Sequence, residues 1–120
     1  SESGGESKAR AVIIVLGFVV PELQISFFDP VTRKTYRTDY LWRLADGRAI
    51  VGEFDGMEKY VNPQMVGSKT IEQRVLAERE RDEALRRCGV SQIVHFSYND
   101  VMHPDQLRRK LEQAGVPYVS

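Results

Sequence analysis

Only one cysteine, Cys88, stands among the 120 residues, so no disulfide can form within the chain and no cysteine-rich zinc site can be built. That scarcity fits a cytoplasmic protein. Net charge is missing too, because 17 basic side chains balance 17 acidic ones. Modules that coat nucleic acid by charge alone are usually basic overall, so the balance argues against that class. It leaves room for a metal-assisted enzyme whose acidic site offsets a basic rim. No apolar run approaches the length of a membrane span, so no membrane is expected as a partner, and residues 1–10 do not form a signal peptide. There are two histidines, His95 and His103, and neither has metal-ligand spacing. His95 alternates with Val94 and Phe96 as a sheet residue does, and His103 before Pro104 reads as a helix cap. Internal repeats and low-complexity tracts are absent.

What remains is ordinary globular composition, 42% apolar and 28% charged, in a length that suits one domain over 1–120. The small-residue start, Ser1 to Gly5, looks like the cut edge of a longer protein, whose C-terminal part this would be. Residues 4–16 read as a helix: Ala9, Val12, Ile13 and Leu16 follow helical spacing, Gly17 is a stop, and Ser3 and Glu6 have capping-box spacing. Strands are expected over 23–28, 35–44 and 49–55, with a turn at Asp29-Pro30 and a hairpin at Ala45-Asp46-Gly47-Arg48. On the second strand, alternation puts Tyr36, Thr38, Tyr40 and Trp42 on one face and Arg37, Asp39 and Leu41 on the other. The aromatics there read as packing, not as a base-stacking platform. The third strand is apolar enough to be central. Residues 56–68 read as a loop. A long helix follows over 70–88, ended by Gly89, then a strand over 92–96. Pro104 opens a last helix that runs to Ala114, and Gly115 stops it. The third-to-fourth strand link has crossover length, which predicts a parallel pair.

Within this order, Glu53-Phe54-Asp55-Gly56 closes the apolar third strand. Glu53 and Asp55 are two apart, so they leave the same face, and Asp39 stands on the strand joined to theirs by the hairpin. Acids are poor strand formers, so three of them in strand-like runs call for a reason. Oxygen ligands of this kind suit Mg²⁺ or Mn²⁺ held against a phosphate. Such an ion polarises the scissile group and lowers the pKa of a water. Gly56 lets the backbone turn after the site, and Lys59 could neutralise developing charge or position the water. The plainer alternative pairs Glu53 and Asp55 with Arg37 or Arg43 and leaves Asp39 solvated. On the long helix, Ile71, Val75 and Leu85 mark the expected core stripe, with Glu78 and Asp82 inside it. Buried charges need partners, so these two should meet Arg74 and Arg81 or face a polar cavity. The rest of the charge run from Glu78 to Glu83 reads as a solvated face. Glu6 lies on the stripe of Ala9, Ile13 and Leu16, and either points into the site or completes the cap with Ser3. Gln24 could touch the site or be a surface glutamine.

Together these residues resemble the PD-(D/E)XK nucleases, the restriction-endonuclease-like superfamily, and most of all its very-short-patch-repair-like branch and actinobacterial relatives. The matching motifs are Glu6-Ser7, Pro21-Glu22-Leu23-Gln24, Asp39, Glu53-Phe54-Asp55-Gly56, and the run from Arg81-Asp82 through Leu85 to Gly89. They span nearly the whole chain. The resemblance implies an α/β fold with an αβββαβ core: a mixed four-stranded sheet flanked by helices, plus an extra C-terminal helix. It implies a metal-dependent DNA endonuclease that hydrolyses phosphodiesters with a metal-activated water. Asp39, Glu53 and Asp55 would be the ligands of Mg²⁺ or Mn²⁺, and Glu6 and Lys59 would be further catalytic residues. DNA is the implied partner, a homodimer is left open, and the implied parent carries an N-terminal winged-helix part like that of an abortive-infection antitoxin. The family's usual lysine two residues after the strand-three acid is Asp55 here, so Lys59 becomes the candidate for its role. Glu58-Lys59-Tyr60 stands where the branch often has histidines, and His95 where it often has arginine. A second reading keeps the fold as a weakly active or inactive module for DNA binding or regulation in an antitoxin-like protein. A third makes it an interaction or oligomerisation domain.

Overall fold

The computed structural model describes residues 4–55, 65–66 and 69–119. Gly56 and Lys59 lie outside these residues, as does Ser3, so the capping box expected at Ser3 and the role expected of Lys59 fall there too. Helix α1 (Gly4–Val15) is followed by three strands, β1 (Glu22–Asp29), β2 (Lys34–Arg43) and β3 (Ala49–Asp55). Two short strands, β4 (Met65–Val66) and β5 (Lys69–Thr70), pair antiparallel, the first within the expected loop over 56–68 and the second after it, reaching the residue where the long helix is expected to start. Then come α2 (Ile71–Arg87), β6 (Val90–Ser97), α3 (Tyr98–Met102) and α4 (Pro104–Ala114). The main sheet has the order β1-β2-β3-β6. Its β1–β2 and β2–β3 pairs are antiparallel, and β3–β6 is parallel, as the crossover length predicts. The chain is therefore α/β, with a mixed four-stranded sheet flanked by helices and β3 central. No helix among the described residues is long and apolar enough to cross a membrane.

The strand period of two sorts the core into two layers. Ile50 of β3, Tyr40 and Trp42 of β2, and Val94 and Phe96 of β6 face α1, α3 and α4, where Ala9, Ile13, Val101, Leu107 and Leu111 meet them. Leu41, Val51 and Val90 face the other way, onto Leu85 of α2. The second cluster is much the smaller, so α2 is the more lightly anchored helix. Buried polar groups are tied down. Trp42 Nε1 donates to the Val19 carbonyl at 2.7 Å, and Tyr40 Oη donates to the Glu6 carbonyl at 2.5 Å. Asp29 is fully buried at the β1–β2 turn. The Arg87 guanidinium, with hydrogen bonds from Thr32 and Val31, holds its carboxyl far below the usual carboxylate range.

Three expectations about faces and elements need correction. Tyr36 does not share a face with Tyr40 and Trp42: it packs in the smaller cluster, while they pack in the larger. Leu23 and Ile25 of β1 part in the same way. The change of face falls at Gln24, which has a positive φ of 54°, between the Leu23–Tyr40 and Ile25–Thr38 pairs. Strict alternation fails because the ribbon turns over at that left-handed residue. Ile71 and Val75 are not core: they are 48% and 52% exposed. The inward side of α2 at that level is polar, so the apolar side points outward. Finally, α3 is a short helix that the hydrophobic pattern did not announce. Ser97 and Asp100 cap it reciprocally, and burial of the Asp100 carboxyl is outweighed by Lys110 and the Ser97 amide, which hold it below its ordinary range.

Candidate functional site

The β2–β3 ladder ends at the Tyr40–Gly52 pair, one residue short of Asp39 and Glu53. Side chains take over there. The Asp39 backbone N–H donates to Glu53 Oε2 at 3.2 Å, and the Phe54 backbone N–H donates to Asp39 Oδ2 at 2.8 Å. Glu53 thus accepts the Asp39 amide and Asp39 accepts the amide of Phe54, the residue after Glu53, which satisfies amides that the parted ladder would leave unpaired. The exchange also fixes both carboxylates at one end of the sheet.

Glu6 reaches the same row from α1. Its Oε1 accepts from Gln24 Nε2 at 3.3 Å, and its carboxyl stands beside that of Asp39. Glu6, Gln24, Asp39 and Glu53 therefore form a row across one helix and three strands. Gln24 Oε1 is buried in that row without a hydrogen-bond partner among the described residues. Burial pushes the Asp39 carboxyl above the usual range, against the pull of the Phe54 amide, and the negative charge of Glu53 pushes it further.

Asp39 and Glu53 of this row, but not Glu6 or Gln24, open into a cleft of about 380 Å³ between the sheet and α2. Asp39, Glu53 and Asp55 line it, together with Arg37, Arg74, Glu78, Arg81 and His95. Glu53 is 7% exposed, and Arg81 reaches across from α2 to hold its Oε1 with both Nε and Nη2. The same Nη2 donates to the Arg37 carbonyl. The partner of Glu53 is thus Arg81, not Arg37 or Arg43; Arg43 is paired at the surface with Glu22. Glu78 faces the cleft and stands 3.8 Å from Arg74, so both expectations for it hold at once. Asp82 Oδ2 lies 3.6 Å from His95 Nε2, and its Oδ1 is buried without a hydrogen-bond partner among the described residues. His103 sits between α3 and α4 at their caps, away from this cleft, and its Nδ1 meets the Asn99 carbonyl at 2.8 Å.

The structure therefore brings together Glu6, Asp39 and Glu53, and places Asp55 on the same cleft wall. Arg37, Arg74 and Arg81 are the cleft residues that motif reading did not single out as site residues. The signal for Arg81 and Arg74 was available, because they share the inward side of α2 with Glu78 and Asp82 at helical spacing. Among the described residues, no three His, Cys, Asp or Glu side chains converge as a formed metal centre. The donor types nonetheless fit a hard divalent cation: all are carboxylate or amide oxygens. A charge of opposite sign would relieve the Glu6–Asp39 contact and the Asp39–Glu53 repulsion, although Arg81 already occupies one oxygen of Glu53. Comparison with protein-family models, with curated proteins and with solved structures finds no match for this chain.

Proposed function

We propose that this cleft is a phosphodiester-hydrolysing site of the restriction-endonuclease-like kind, acting on DNA. The observation that supports the reading is the mutual hold of Asp39 and Glu53 where the ladder parts. That hold presents two carboxylates side by side to a cleft rimmed by arginines. Asp39 and Glu53, with Asp55, would hold Mg²⁺ or Mn²⁺, which would supply Lewis-acid polarisation of the phosphate and a more acidic water. The chain's own residues do the rest. Arg37 and Arg74 give the cleft the positive charge that a phosphate backbone seeks. Gln24 holds Glu6, which stands beside Asp39. His95, beside Asp82, stands across the β3–β6 pair from Glu53.

One observation favours the second reading, an inactive nuclease-fold module that binds DNA or regulates an antitoxin-like protein. Arg81 already neutralises Glu53, as an arginine would in a site that no longer takes a cation. Calorimetric titration with Mn²⁺ separates the two, alongside a plasmid-nicking assay. The metal reading expects wild-type binding, a loss of at least about tenfold in Glu53→Ala, and tighter binding in Arg81→Gln. No heat in either wild type or Arg81→Gln would leave the inactive module as the better account.

A further inference from the structure

The first half of α2 is amphipathic in the inverse sense. Its polar residues Arg74, Glu78 and Arg81 line the cleft, while Ile71, Val75 and Leu76 point outward at 48%, 52% and 54% exposure. These three, with Glu72 and Arg79, line a shallow groove of about 430 Å³ on the outer side of the helix. An apolar stripe of this sort, rimmed by charge, marks a contact surface when it is contiguous, and here it runs from Ile71 to Leu76, about one and a half turns. Neither Glu72 nor Arg79 has an ion-pair partner among the described residues, although ion pairs hold Arg74, Arg81 and Arg87 on the same helix.

The order of charges on this face selects its occupant. Glu72 stands one turn before the Val75-Leu76 pair and Arg79 one turn after it, so the two charges are equally spaced about that pair. We infer that a second copy of this chain covers the face, α2 against α2 in antiparallel register about a two-fold axis near Val75-Leu76. A two-fold contact is self-complementary by construction. In this register Val75 meets the partner copy's Leu76, and Glu72 meets its Arg79, twice over. A parallel pairing would oppose like charges at both places. The contact is short, so the dimer is a reversible one that forms on raising the concentration. Each cleft lies on the opposite side of its own α2, so the two clefts stay open when the helices pair. The inference does not depend on metal binding or on catalysis.

Sedimentation equilibrium over a concentration series tests it on the chain as it stands. The wild type should show a monomer–dimer equilibrium that weakens with added salt. Glu72→Arg should raise the dissociation constant about tenfold or more, because it sets two arginine pairs against each other. Arg79→Glu should do the same with carboxylates. The double variant carrying both reversals should recover the dimer, since its charges are swapped but still complementary. All of these positions are exposed, and circular dichroism checks that each variant stays folded. A wild type that stays monomeric at every concentration overturns the proposal and gives the face to a different occupant. Failure of the double variant to recover overturns the antiparallel register.

Discussion

Burial lifts the Asp39 carboxyl above the usual carboxylate range, and the neighbouring Glu53 charge adds to the lift. A carboxyl raised by folding is held protonated more firmly in the native state than in the unfolded chain. Stability then falls as pH rises through the window between the ordinary and the raised value, and the penalty is complete above it. Asp39→Asn removes the charge while keeping an oxygen for the Phe54 amide. We expect this variant to melt a few degrees above wild type at pH 7, with the gain fading near pH 3, where the Asp39 carboxyl is largely protonated in the folded and the unfolded chain alike. Thermal melts at the two pH values check this. A wild type more stable than the variant at pH 7 would show that Asp39 is a structural acid, held for its hydrogen bonds alone. Stability gained by removing a charge is what a residue kept for chemistry should show.

At the scale of elements, β3 carries the site because its neighbours fit it closely. A Cβ added at Gly52 would stand 3.1 Å from Trp42 Cζ3 and 3.3 Å from Phe96 Cε1, both in buried rings. Gly52→Ala should therefore cost about 1–3 kcal/mol through forced repacking, read as a lower denaturant midpoint at unchanged slope. This is also where legibility in the sequence divides. The three strands, the 45–48 turn and α4 between Pro104 and Gly115 could be read from period and punctuation, because local chemistry decides them. Asp39 and Glu53 could be found because acids in apolar strands are costly without a purpose. The face of Tyr36 could not be read, since the left-handed Gln24 carries no glycine or asparagine signal. Helix α3 had a cue in Ser97 and Asp100 at capping spacing, hidden by its five-residue length. Ile71 and Val75 were misplaced because a periodic apolar stripe tells which residues share a side, not which side faces the sheet. On α2 the cleft takes the polar side.

For the molecule as a whole, the sheet separates a large apolar layer from the side that carries the candidate cleft. The large apolar layer under α1, α3 and α4 holds the fold, while the small one under α2 positions the helical wall of the cleft. Leu85 and Leu107 are both fully buried, one in each layer. Truncating either to alanine should cost about 2–5 kcal/mol. The cost should be distributed differently. Leu85 is the one fully buried large side chain that α2 contributes to the core, so Leu85→Ala should speed amide hydrogen exchange throughout Ile71–Arg87 and loosen the Arg81 hold on Glu53. Leu107→Ala should speed exchange in Pro104–Ala114 and leave the α2 amides nearly as protected as before. Exchange measured by mass spectrometry under native conditions resolves the two segments, whether or not the cleft binds a cation. Equal exposure of both helices in both variants would mean that the layers unfold as one unit and that the cleft wall is anchored through the whole core, not through Leu85.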